Sequence, residues 1–159
     1  MNQFKAAIFD MDGLLLDSEK LAFEAFTSTC ESLNLPDLSA LFQKIVGTNV
    51  KLGETILREG LEGIVDYEKF GAMWDAKYKK FTEAEPIALM VGVKQLLEHL
   101  KLNGTPMAVA TSTNTQSAEN KLRTSGILEY FEFIIGGDQV ENSKPAPEIY
   151  LKAAIKLNV

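Results

Sequence analysis

Three short apolar runs, each without polar alternation and each ending in small, hydroxylic or acidic residues, constrain this chain more than any other feature. Lys5-Ala6-Ala7-Ile8-Phe9 breaks into Asp10-Met11-Asp12-Gly13, Pro106-Met107-Ala108-Val109-Ala110 into Thr111-Ser112-Thr113-Asn114, and Phe131-Glu132-Phe133-Ile134-Ile135 into Gly136-Gly137-Asp138. A strand apolar on both faces must be covered on both, the condition of a parallel sheet sandwiched by crossover helices. The intervening sequence predicts such helices. Thr113 to Ser125 carries Ala118 and Leu122 on one face and is stopped by Gly126. Val93, Leu96, Leu97 and Leu100 recur at helical spacing before Asn103-Gly104, and Pro147 opens a segment with Ile149, Tyr150, Ala153, Ala154 and Leu157 on a stripe. The fold class is therefore α/β with a parallel sheet, whose ligands bind at the carboxyl ends of the strands.

The stretch from Ser18 to about Glu85 carries no strand signal. Leu21, Ala22, Ala25, Phe26 and Cys30 form one amphipathic stripe, Leu52, Ile56 and Leu57 a second, and Phe70, Met73, Trp74, Tyr78 and Phe81 an aromatic third. These aromatics read as the core of a small helical module, contact with a ligand being the other reading. The expected organisation is a core over 1–17, a helical insert over 18–85, and a continued core over 86–159. An insert that follows the first strand's loop reads as a cap.

That loop holds two carboxylates one residue apart. Asp10 and Asp12 can both point into one small volume, where their repulsion would be relieved by a hard cation such as Mg²⁺. Asp-x-Asp-Gly is also ordinary material for an Asx turn or a helix cap. Thr111 ends the second run, where its hydroxyl, the Ser112 hydroxyl and nearby N–H groups could cradle a phosphate; Thr-Ser-Thr-Asn is equally a helix N-cap. Lys144 lies beyond the third run in Ser143-Lys144-Pro145-Ala146-Pro147-Glu148, whose two prolines would stiffen the approach and hold an ammonium in place. A nucleophile pair, a hydroxyl and a cation at three strand ends supply most of what phosphoryl transfer requires.

Composition removes other classes. With 22 Asp plus Glu against 16 Lys plus Arg and a net charge of −6, an extended basic surface for nucleic acid is hard to build. No apolar run approaches the roughly 20 residues of a membrane helix. Met1 to Lys5 leads straight into the first run, leaving no room for a signal peptide, and Cys30 is alone, so a cytoplasmic setting is expected.

Asp10-Met11-Asp12-Gly13-Leu14-Leu15-Leu16-Asp17-Ser18-Glu19 resembles the first motif of the haloacid dehalogenase-like superfamily, in the branch with a helical cap that includes phosphoglycolate phosphatases and β-phosphoglucomutases. Thr111 falls at the second motif and Lys144 at the third, within a Lys-Pro-x-Pro-Glu-x-Tyr string typical of that branch. The resemblance covers the whole chain and implies an incomplete Rossmann-like core with an inserted cap. It implies hydrolysis of a small phosphorylated metabolite, such as a sugar phosphate or phosphoglycolate, through an aspartyl-phosphate. Asp10 would be the nucleophile and Asp12 the acid/base. Mg²⁺ would sit on the Asp10 carboxylate and Asp12 carbonyl, and Thr111, Ser112 and Lys144 on the phosphoryl oxygens.

Gly47-Thr48-Asn49 resembles the cap loop that reaches toward the substrate, and Glu19 stands near the cap entrance, where a plain helix-start carboxylate is the other reading. The arginine of glucose-phosphate mutases is not apparent, so hydrolysis is preferred to a phosphohexomutase. A non-catalytic phosphate-binding module is the third reading. Relatives continue past the equivalent of Leu157-Asn158-Val159 into a strand with paired acidic residues. The expectation is a truncated chain, impaired in catalysis and inclined to self-associate through a bare edge at the first strand.

Overall fold

In the computed structural model, which describes residues 4–48 and 50–159, the chain divides into two compact units, Met1–Ser18 with Pro86–Val159, and Glu19–Glu85. The first unit is built on a three-stranded parallel sheet of order β1-β2-β3, with β1 at Ala7–Phe9, β2 at Met107–Ala110 and β3 at Phe133–Ile135. Every residue of central β2 is buried, as a strand without alternation requires.

The strands are shorter than the apolar runs because pairing sets their ends. Ala7 stands opposite Met107, so Lys5 and Ala6 lie beyond the start of the partner strand. Phe133 stands opposite Ala108, while Phe131 and Glu132 lie between the strand and a preceding 3₁₀ turn, Leu128–Tyr130. Among the described strands β1 and β3 are the edges.

Helices connect and cover the sheet. α5 (Val93–Leu102) precedes β2, burying Val93 and Leu97 and ending at Asn103 and Gly104. Leu96, read as part of the same stripe, is half exposed. α6 (Thr115–Thr124) joins β2 to β3 and starts two residues later than expected, because Asn114 is its N-cap and accepts from the Gln116 N–H at 3.0 Å. α7 (Glu148–Lys156) follows Pro147 and packs Ile149 and Ala153 against Ala110 and Ile135.

The second unit is all helix: α1 (Ser18–Ser32, its first residue belonging to the sheet unit), α2 (Ser39–Ile45), α3 (Val50–Leu61) and α4 (Tyr67–Ala84). Its core gathers Phe26, Cys30, Leu41, Phe42, Leu57, Leu61 and Phe70. Phe26 sits at its centre, with ring centroids 5.3 Å from Phe42, 5.2 Å from Phe70 and 5.3 Å from Trp74. The Trp74 indole N–H donates to the Ala22 carbonyl at 2.9 Å, which fixes the one polar atom that this aromatic cluster brings inside. Leu52 is half exposed, while Leu57 and Leu61 are the α3 residues buried in this core. No helix among the described residues is long and apolar enough to cross a membrane.

Candidate active site

The loop after β1 curls on Met11, whose side chain is fully buried and whose carbonyl accepts from the Leu15 and Leu16 N–H groups. Gly13 turns the chain at φ 71°, in the left-handed region where glycine carries no steric penalty. Leu15–Asp17 is tied to Ala88–Met90 by Asp17 N–H to Ala88 O (2.8 Å) and Met90 N–H to Leu15 O (3.0 Å). The two aspartates thus project from a short loop held on both sides.

Asp10 is anchored through one oxygen. Its Oδ1 accepts from the Met11 N–H at 2.8 Å and lies 2.8 Å from Lys144 Nζ, which also donates to the Ala110 carbonyl at 2.9 Å. The same ammonium stands 5.1 Å from the centroid of the Tyr150 ring. One lysine therefore joins the carboxyl ends of β1 and β2 to α7. The Asp10 side chain retains 38% exposure, so its carboxylate is both held and reachable.

Asp12 has a separate cation. Lys121 Nζ, from α6, lies 3.1 Å from Asp12 Oδ1, and the Thr113 hydroxyl donates to Asp12 Oδ2 at 2.7 Å. Burial is the largest single influence on this carboxyl and pushes its pKa up. The Lys121 charge, the hydrogen bonds from Thr113 and Lys121, and the Ser18 hydroxyl together outweigh it, so Asp12 lies below its ordinary value of 3.8 and rests as a carboxylate at neutral pH. The repulsion anticipated between the two carboxylates is met here by one lysine apiece.

Thr111 is buried at the end of β2; its N–H donates to Ile135 O, extending the sheet, and its hydroxyl accepts from the Thr113 N–H at 3.1 Å. Ser112 is exposed in the same loop. That loop is zipped to the one after β3: Gly137 N–H donates to Thr113 O at 3.0 Å, and Asp138 Oδ1 accepts from the Thr115 N–H and hydroxyl, each at 2.7 Å. The Thr115 hydroxyl, then its N–H, hold the Asp138 pKa below the ordinary carboxylate range. A Cβ on Gly137 would overlap the Ser112 carbonyl. Gly137→Ala is therefore expected to push the loop that carries Thr111 out of place and to cost about 1–3 kcal/mol of stability, as overpacking does. A denaturant midpoint equal to that of the unsubstituted protein would show that the loops do not need this approach.

Glu148, at the first turn of α7, accepts from the N–H groups of Glu141 and Asn142, each at 2.8 Å, and shapes the loop that delivers Lys144. The Glu141 N–H is the first cause of its lowered pKa, followed by Asn142. The remaining expected residues belong to the helical unit. Glu19 is exposed in the first turn of α1. Gly47 has φ 74° after α2, and Thr48 donates through both N–H and hydroxyl to Ile45 O; Asn49 lies outside the described residues.

Mg²⁺ asks for a near-octahedral shell of oxygen donors. Among the described residues no group of three or more His, Cys, Asp or Glu side chains is placed to share a metal ion. One oxygen of Asp10 and both of Asp12 already have donors. Among the described residues, the Asp10 and Asp12 carboxylates by themselves do not supply such a shell.

Sequence reasoning missed Lys121, Thr113 and Ser18 as the surroundings of Asp12. Lys121 neighbours Ala118 and Leu122 on α6, but lysines ordinarily flank a buried stripe, so its spacing carries no signal for this role.

The sequence profile described as haloacid dehalogenase-like hydrolase matches residues 7–159. A phosphorylated carbohydrates phosphatase of Thermotoga maritima is 39% identical over 155 residues, covering 98% of this chain and 71% of the relative. A solved structure from Thermotoga maritima, provisionally assigned as a β-phosphoglucomutase, aligns at 38% identity with a TM-score of 0.79 over 98% of this chain and 72% of that one. CbbY of Rhodobacter sphaeroides, solved in complex with phosphate, aligns at 26% identity with a TM-score of 0.70 over 99% of this chain and 74% of that one. With its parallel sheet, its inserted helical unit and these matches, the chain belongs to the haloacid dehalogenase-like hydrolase family.

Proposed function

We propose that the protein hydrolyses small phosphomonoesters, with phosphorylated carbohydrates as the leading substrate class, and that it needs added Mg²⁺ to do so. The observation that carries this reading is the Lys144 ammonium bonded to both Asp10 Oδ1 and the Ala110 carbonyl, which sets a cation beside a reachable carboxylate at the sheet's carboxyl edge. The family match and the phosphatase relative at 39% identity support it.

In the first half-reaction an Asp10 carboxylate oxygen bonds to phosphorus as the ester P–O bond breaks, and the departing alkoxide takes a proton from Asp12. Asp12 rests as a carboxylate, so that proton arrives with the substrate monoanion, whose second pKa is about 6. In the second half a water oxygen bonds to phosphorus, gives its proton to Asp12, which passes it to solvent, and displaces the Asp10 carboxylate to release inorganic phosphate. Lys144, the Thr111 hydroxyl and Ser112 balance the charge on the phosphoryl oxygens. The helical unit, with Glu19, Gly47, Thr48 and Asn49, selects the alcohol.

Phosphate release from a panel of sugar phosphates, phosphoglycolate and p-nitrophenyl phosphate, with and without Mg²⁺, tests this. Metal-dependent release from at least one is expected, and none from any would overturn the reading. Interconversion of sugar phosphate isomers without release would favour phosphotransfer, the activity provisionally assigned to the Thermotoga structure at 38% identity.

A further inference from the structure

We propose that Lys121 is a positioning residue for Asp12, its ammonium on Oδ1 and the Thr113 hydroxyl on Oδ2 together fixing the orientation of the carboxylate; the proposal rests on the phosphatase reading above. Each oxygen of Asp12 has its own donor, at 3.1 Å and 2.7 Å. Turning the carboxylate about its Cβ–Cγ bond breaks both bonds at once, so the plane is set and not merely the charge.

The placement of Lys121 is unusual for a lysine. It lies in the last turn of α6, where a helical lysine ordinarily extends its ammonium into water. Here the side chain is only 16% exposed and reaches a residue 109 positions earlier in the chain. Exposed ion pairs, such as Arg58 with Glu68 at 61% and 76% exposure, hold no fixed geometry and contribute little. The Lys121 pair is enclosed, and its second donor makes it directional.

Charge balance on the nucleophile does not explain Lys121, because Asp10 is already paired with Lys144 at 2.8 Å. What Lys121 adds is aim. In the proposed reaction Asp12 must meet the leaving oxygen first and the incoming water second, and a carboxylate free to turn would meet either less often.

The consequence differs between substrates. An alkyl leaving group is a strong base and depends on the proton that Asp12 delivers, whereas p-nitrophenolate departs with little help. Lys121→Met keeps the apolar stem and removes the donor. With the full chain and Mg²⁺, kcat for glycerol 2-phosphate is expected to fall about tenfold or more, with KM little changed and with a much smaller loss for p-nitrophenyl phosphate. Lys121→Arg, which restores a long cationic donor, should recover most of the loss. A crystal structure of Lys121→Met should show the Asp12 carboxylate turned away from Thr113.

Equal losses on both substrates, or full activity with Asp12 in place, would overturn the proposal. An equal loss accompanied by a lowered melting temperature would assign Lys121 to folding alone and overturn it too. Should the unsubstituted chain release no phosphate from either probe, the phosphatase reading fails, and the crystal structure then decides by itself: a displaced Asp12 supports the positioning role, and an unmoved one ends it.

Discussion

Replacing Asp10 with asparagine is expected to reduce phosphate release by about 10³-fold or more, since a neutral amide is a poor nucleophile toward phosphorus and the reaction loses its covalent route. That corresponds to about 4 kcal/mol on the barrier. Asp12→Asn should be milder, about 10²-fold, because it removes a proton carrier and leaves the bond-forming oxygen in place. The structure sharpens the contrast. Asp10 shares Lys144 with the Ala110 carbonyl, while Asp12 is held by Lys121 and Thr113, so each substitution disturbs its own set of partners. Trapping with beryllium fluoride separates the two roles without turnover: Asp12→Asn should retain it and Asp10→Asn should not. Equal loss of trapping in both variants would argue against the assignment.

The largest expected effect on stability lies in the helical unit. Phe26 is 1% exposed and meets Phe42, Phe70 and Trp74 at ring separations between 5.2 and 5.3 Å. Phe26→Ala removes a ring from a closed cluster whose other members are fixed on α2 and α4, and such a cavity collapses only partly. The expected cost is about 3–5 kcal/mol, a large share of the stability of any small domain. Because these partners all lie within Glu19–Glu85, amide exchange should accelerate through the helices of that unit and spare β2. Unchanged exchange in α1 and α4 would mean that the aromatic cluster does not carry the unit's stability.

Much of this architecture is legible in the amino-acid sequence because it depends on features that repeat or punctuate. Three non-alternating apolar runs announce a parallel sheet, and Gly126 and Asn103-Gly104 mark where helices stop. Asn114 is readable as a cap, which is its role in the structure. Strand ends are less legible: whether Lys5 and Ala6 belong to β1 is decided by where Met107 begins the neighbouring strand, a fact about pairing. The exposed Leu52 and Leu96 share the same difficulty, since spacing places a residue on a face and only the opposing element says whether that face is covered there. The convergence of Asp10 with Lys144 could be anticipated from the order of motifs. The convergence of Asp12 with Lys121 could not, because a flexible side chain on a helix can reach in several directions and spacing along one helix does not say which.

Lys144 gives the site a further property. Its nitrogen meets Asp10, the carbonyl of Ala110 and the ring of Tyr150, three points separated by about a hundred and by forty residues of chain. The contact with Tyr150 is local, but those with Asp10 and Ala110 span long stretches of chain, so no short fragment of the polypeptide can make them before the sheet has closed. A half-folded chain therefore has no weakened version of this arrangement. Asp10 and Lys144 meet only in the cooperative step that brings β1 and β2 side by side.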